Sequence, residues 1–308
     1  MKYIVTGATS FIGQELVRQL LDGGHEVVAV CRENSGKAPL LPQEVEIVYS
    51  DMGQYGRLDT RIPRADVFIH LAWDGTSHAG RDARQTQLEN IDHTISAIHA
   101  AKRMGCALFV ESGSQAEYGS VTTTISEDTP CHPFSEYGKA KLEIKERGFA
   151  LAEELGIKYL HLRIFSIYGE RDHGWTLVMT AVEKMMRNEP LDLSSCEQQW
   201  NFLHVEDAGR QICALCTHAI HSPSFCREIF NIASTDTRKL KEFVECIKAV
   251  TASQSQLSYG VLSPQNTVSL NPDTSKTAAI VSTDPGIPFT DGILRIIQHK
   301  LPAKLTPQ

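Results

Sequence analysis

Thr6-Gly7-Ala8-Thr9-Ser10-Phe11-Ile12-Gly13 stands between a short β-branched run, Tyr3-Ile4-Val5, and a helical stretch over 12–22. Leu16, Val17, Leu20 and Leu21 share one stripe of that stretch, the pattern of an amphipathic helix. A glycine turn leading from a strand into a helix is where a doubly wound sheet receives a dinucleotide pyrophosphate. Gly7 permits the sharp turn, the helix start at Thr9, Phe11 and Ile12 offers free N–H groups to phosphate, and Gly13 lets helix and sheet pack closely. Ser10 stands where a middle glycine is usual. Either its backbone keeps an ordinary φ, or its hydroxyl itself serves phosphate.

Outward from this turn, apolar runs alternate with helix-period segments. Strands are predicted at 27–31, 45–49, 67–72, 107–110 and 159–165, and helices at 85–104 and 137–155. The repeated strand–helix–strand order predicts an α/β fold, a doubly wound parallel sheet covered on both faces. After Phe165 the rhythm changes. A helix is expected around 177–187, strands at 202–205 and 228–233 are expected to rejoin the sheet, and helices follow at 240–250 and 291–300 around a Ser/Asn/Pro-rich loop at 262–274. The expected division is a dinucleotide-binding domain over 1–165 with 200–235, and a smaller C-terminal α/β substrate lobe over 166–199 with 236–308.

The 308 residues carry 42% apolar and 22% charged side chains, a globular balance. Thirty Lys and Arg against 37 Asp and Glu leave a net charge of −7 with no basic cluster, which argues against nucleic acid as a partner. No apolar run reaches the ~18–20 residues of a membrane span, and the chain start has no secretory pattern. Eight cysteines are too few for a disulfide scaffold, so reduced thiols and a cytoplasmic location are expected. Cys213-x-x-Cys216 lies at helical spacing without a second ligand pair, and no metal site is assigned.

At the end of the second strand a carboxylate would hold the ribose hydroxyls of NAD and repel a 2′-phosphate. Cys31-Arg32 stands there instead. Arg32 can pair with a 2′-phosphate, which favours NADP(H) over NAD(H), or it is a solvated surface arginine. Tyr137-Gly138-Lys139-Ala140-Lys141 places Tyr137 and Lys141 one turn apart on a helix face. A phenol titrates near pKa 10, and a neighbouring ammonium together with a cationic nicotinamide brings it within reach of acid–base work. Ser114 follows the fifth strand at the sheet edge where ligands bind, with a hydroxyl suited to a substrate oxygen.

With Ser112-Gly113-Ser114-Gln115-Ala116-Glu117-Tyr118-Gly119, His70-Leu71-Ala72, Leu162–Gly169, His204-Val205-Glu206-Asp207 and Asp273–Lys276 added, the chain resembles the extended short-chain dehydrogenase/reductases of the NAD(P)-dependent nucleotide-sugar epimerase/dehydratase family. That resemblance implies a Rossmann-like domain with a small substrate lobe and a homodimer formed through a helix pair. It implies Ser114, Tyr137 and Lys141 as the catalytic triad. Asp51 and Met52 would meet the adenine, and Leu71 and Ala72 would line the cofactor.

The departures from the family pattern are specific. Dehydrating members carry Asp and Glu directly after the catalytic Ser/Thr; here Gln115 and Ala116 stand there and Glu117 is one step further on, which disfavours dehydration. Ser166 replaces an Asn that holds the sugar nucleotide, and Trp200 replaces an Arg that contacts diphosphate. Gln115, Ser166, Arg171 and Trp200 are therefore the candidate substrate contacts, Trp200 by stacking unless it merely packs the lobe. Arg163, within a strand, reads as structural. The reading is a nucleotide-sugar 4-ketoreductase, with a 4-epimerase holding NAD as the alternative and a non-catalytic dinucleotide sensor as a third.

Overall fold

The computed structural model describes residues 1–77, 80–263, 268–281 and 286–301. Its first half runs β1 (Lys2–Thr6), α1 (Phe11–Asp22), β2 (Glu26–Cys31), β3 (Glu46–Tyr49), β4 (Val67–His70), α2 (Arg84–Arg103), β5 (Leu108–Ser114), α3 (Glu136–Leu155) and β6 (Lys158–Ile164). The second half runs β7 (Ser166–Tyr168), α4 (Leu177–Met186), β8 (Leu191–Asp192), β9 (Gln199–His204), α5 (Val205–His221), β10 (Arg227–Ile232), β11 (Thr237–Lys239), α6 (Leu240–Val250), β12 (Leu257–Ser258), α7 (Ser275–Ala278) and α8 (Phe289–Lys300).

Seven parallel strands form the main sheet in the order β3-β2-β1-β4-β5-β6-β10. The order reverses between β1 and β4, so their carboxyl ends open the crevice in which such sheets bind ligands. Because both faces are covered, β4 reads as an unbroken apolar run closed by His70, all of it buried. α1 and α5 pack on one face through Leu16, Val17, Leu20, Ile212, Leu215 and Cys216. α2 and α3 cover the other, where Ala97, Ile98, Ala101 and Ala152 meet Phe68, Phe109 and Tyr159. Cys216, half of the CxxC pair, is thus core, and both cysteines are free thiols. Among the described residues no helix is long and apolar enough to cross a membrane.

One strand departs from expectation. The segment predicted at 202–205 does not rejoin the main sheet, because β10 already takes the place beside β6. As β9 it pairs instead with β7 in parallel and β11 antiparallel. Its Phe202 stacks on Phe289 and meets Phe243 edge-on, so aromatic packing draws it into the core that α4, α6 and α8 share. Of the loop expected at 262–274, residues 264–267 lie outside the described residues. Its far end is tied down, since Leu270 is buried and Pro272 bridges Ile125.

Candidate active site

The glycine turn is tight against the end of β4. Gly7 has φ +67°, and a Cβ there would lie 2.8 Å from the Ala72 nitrogen. Ser10 keeps an ordinary extended backbone (φ −73°), and its hydroxyl accepts from the Gly13 N–H at 3.1 Å. The serine is therefore the N-cap of α1, with an ordinary backbone and a hydroxyl proton still free to donate. The first-turn N–H groups of Phe11 and Ile12 have no acceptor within the helix, and Ile12 lines the cleft at the strand ends. An anion is the natural partner for such a turn, and the cradle fits a pyrophosphate.

From this turn a cleft of about 290 Å³ extends along the strand ends. Ser10 and Ile12 line it at one end, with Leu71 from the end of β4. Ser114, Gln115, Tyr137, Lys141 and Ser166 line it too, with Trp73, Thr76 and Arg81 from the loop after β4. Ser135 caps α3 by accepting from the Gly138 N–H at 3.1 Å, and the Tyr137 N–H donates to the Arg81 carbonyl at 2.8 Å. The first turn of α3 is thereby fixed to Arg81. The Tyr137 ring meets Trp73 edge-on at 6.2 Å, and the Arg81 guanidinium lies 5.1 Å from its centre. Trp73 is held in turn by Gln87, which accepts its indole N–H at 2.8 Å. Ser114 begins a capping box: its Oγ accepts from the Ala116 N–H at 3.1 Å, and its own N–H donates to Glu117 at 2.7 Å. An Oγ so engaged as acceptor keeps its proton free to donate into the cleft.

Lys141 is buried, with its Nζ 3.5 Å from the centre of the Trp73 ring and donating to the Ser112 carbonyl and to Glu111 Oε1 at 3.1 Å. Glu111 starts a chain of alternating charge. Its Oε2 lies 2.5 Å from His161 Nδ1, His161 Nε2 lies 3.0 Å from Glu117 Oε1, and Glu117 Oε2 accepts from Arg163 Nε at 2.8 Å. Strand register builds this chain, since β5 and β6 set Glu111 beside His161 and Gly113 beside Arg163. A Cβ on Gly113 would come within 2.3 Å of His161 Nε2, so only glycine leaves room for the Glu117–His161 pair. Burial penalises every charge here, but the opposite charges outweigh it. They hold the Glu111 and Glu117 carboxyls below the usual range and the His161 imidazole above its own. By contrast His70, buried between Thr6 and Thr94, is pushed down to about 3.

Not every expected contact is in the cleft. Arg171 lies in a neighbouring cleft with Phe11 and Glu170, its guanidinium donating to Gln14 at 3.4 Å. Trp200 packs against Phe202 among the aromatic and aliphatic side chains of the lobe. Arg163 is fully interior, as its place in a strand suggested. Met52 is buried beneath the sheet while Asp51 is exposed beyond β3, and Ala72 donates its N–H to Thr6 Oγ1 at 3.3 Å. Arg32 projects from the end of β2, mostly exposed, 3.6 Å from Asp74 Oδ1. Sequence reading passed over Trp73, Glu111 and the role of His161. The signal was present: an acid inside Phe109-Val110-Glu111 and a histidine and arginine inside Leu160–Ile164 are charges on buried strands, which require partners.

Residues 3–233 match the NAD dependent epimerase/dehydratase family. An uncharacterised UDP-glucose epimerase of Bacillus subtilis (strain 168) is 24% identical over 97% of this chain and 98% of its own length. A dTDP-6-deoxy-L-talose 4-dehydrogenase (NAD(+)) of Aggregatibacter actinomycetemcomitans is 28% identical over 69% of this chain and 78% of its own. Among solved structures, a UDP-glucose 4-epimerase of Thermotoga maritima, determined with UDP-glucose, superposes with a TM-score of 0.85 over 97% of this chain and 98% of that one, at 21% identity. With three quarters of the chain matched, and with the glycine turn and the Tyr137–Lys141 pair on one cleft, the chain belongs to the NAD dependent epimerase/dehydratase family.

Proposed function

We propose that this protein is an oxidoreductase that reduces a 4-keto group on a nucleotide-linked sugar, with Ser114, Tyr137 and Lys141 as its catalytic residues. The observation that carries the reading is that the α1 turn, through Ser10 and Ile12, lines the same cleft as those three side chains. The dinucleotide, when bound, supplies the hydride. Tyr137 gives its proton to the ketone oxygen, and the Ser114 hydroxyl, engaged as acceptor by Ala116, donates to the same oxygen. Lys141 balances the charge on the phenol oxygen as the proton leaves. Gln115 and Ser166 are the substrate contacts of this reading. Dehydration lacks its acid–base pair, since Gln115 faces the cleft and Glu117 is turned into the interior. A homodimer belongs to the same reading, with α2 and α3, packed through Ile91, Ala140 and Ile144, as the helix pair.

What supports the reductive direction is the end of β2, where the strand itself offers Arg32 rather than a carboxylate to the ribose, a site suited to a cofactor that exchanges at each turnover. Protein as purified is expected to carry substoichiometric dinucleotide and to consume NADPH with a UDP-, dTDP-, CDP- or GDP-linked 4-keto sugar. Full occupancy by NAD, with two C4 epimers interconverted and no net cofactor use, would replace this reading by 4-epimerase. One observation favours that second reading: Asp74 sits against Arg32 and offsets the charge a 2′-phosphate would need.

Arg32 is the residue that tests the choice of cofactor. If it reads a 2′-phosphate, Arg32→Ala weakens NADPH by about 1.5–3 kcal/mol, the worth of a charged hydrogen bond, and leaves NADH nearly unchanged. Equal losses, measured by fluorescence titration of both reduced cofactors, would reduce Arg32 to a surface charge.

A further inference from the structure

Lys141 does not present a bare positive charge to Tyr137. Its ammonium is 3.1 Å from Glu111, and Glu111 divides its own charge between Lys141 and His161, 2.5 Å away on its other oxygen. The line continues through Glu117 to Arg163, every member 2% exposed or less. In so dry a surrounding each charge is strongly felt by its neighbours. Among the described residues, the Trp73 ring, the Ser112 carbonyl, the neutral His70 on β4, and Arg81 over the tyrosine ring also face Lys141 or Tyr137. Of these only Arg81 is charged, so Glu111 is the one carboxylate that contacts Lys141 among the described residues.

A group that donates a proton in the reaction must still hold it when the substrate arrives, whereas a base must have lost it. An unopposed ammonium one helical turn away favours the phenolate, and a carboxylate beside that ammonium favours the phenol. We propose that Glu111 and His161 are positioning residues that set how much of the Lys141 charge reaches Tyr137. Glu111 takes up part of that charge, and His161 limits the effect by drawing on the same carboxylate. The direction of benefit, toward proton donation, rests on the ketoreductase reading; the charge coupling does not.

The two residues act with opposite sign, which no purely structural role would produce. Tyr137 is one of eight tyrosines, so its ionisation is isolated as the ultraviolet tyrosinate absorbance of each protein minus that of the same protein carrying Tyr137→Phe. In the full-length protein without ligand, Glu111→Gln is expected to move the midpoint of that difference titration down by about one pH unit, and His161→Gln to move it up. The alkaline limb of the pH profile for kcat in ketone reduction is expected to follow each shift. Midpoints that stay in place, or that move in the same direction, overturn the proposal. If Glu111→Gln does not fold, His161→Gln decides alone: a midpoint unmoved or lowered overturns it. Opposite midpoint shifts in a protein that consumes no nucleotide 4-keto sugar would sustain the coupling and remove the ketoreductase reading instead.

Discussion

Replacing Tyr137 by Phe is expected to lower turnover by about 10²–10⁴-fold while leaving dinucleotide affinity within about twofold of wild type. The ring is 8% exposed, lies edge-on to Trp73 and sits beneath Arg81, and a phenyl group keeps all of that packing. What is lost is the hydroxyl, and in the proposed reaction it acts on the substrate oxygen as the barrier is crossed rather than on the bound ground state. The measurement is a pair: steady-state kcat with a nucleotide 4-keto sugar, and direct binding of the reduced cofactor. Wild-type turnover in the variant would remove Tyr137 from the mechanism. Unchanged kcat with weakened binding would make it a cofactor contact.

Glu117→Ala is expected to destabilise the fold by about 3–5 kcal/mol, because it breaks a buried ion pair and leaves the opposing charges uncompensated. Glu117 serves His161, Arg163 and the Ser114 N–H together, and none of the three is exposed to water that could replace it. For a chain of this size the change corresponds to a fall in Tm on the order of 10 °C. Burial alone would raise this carboxyl, but the charges of His161 and Arg163 and the Ser114 N–H hold it below the usual range. A depressed carboxyl contributes its stability above its unfolded pKa and loses it as pH falls through the folded value. The gap between wild type and variant is therefore expected to be full at neutral pH and to narrow on acidification below about pH 4. Urea denaturation at a series of pH values measures it. A neutral-pH difference under about 1 kcal/mol would mean that the buried charges are individually dispensable.

The sequence determined by itself what depends on neighbours in the chain. The helices α2, α3 and α6 carry their apolar stripes at spacings of three and four, and their ends fall within two residues of expectation. The turn at Gly7–Gly13 and the Tyr137–Lys141 pair are likewise local, since each lies within two helical turns of chain. From these the doubly wound sheet and the crevice at its strand ends follow. Tertiary structure alone decided what depends on segments far apart. Whether the 199–204 strand joined the large sheet was settled by β10 taking the edge beside β6 and by Phe243 and Phe289 offering Phe202 a core. The same long-range packing separated Arg171 and Trp200 from the cleft and set Arg32 against Asp74. Glu111 and His161 are fifty positions apart and meet only because β5 and β6 pair in one register; a slip of a single residue would turn Glu111 to the opposite face of the sheet. Periodicity records which face of an element is buried. It carries no record of which strand lies alongside, and the charges around Lys141 are built from that adjacency.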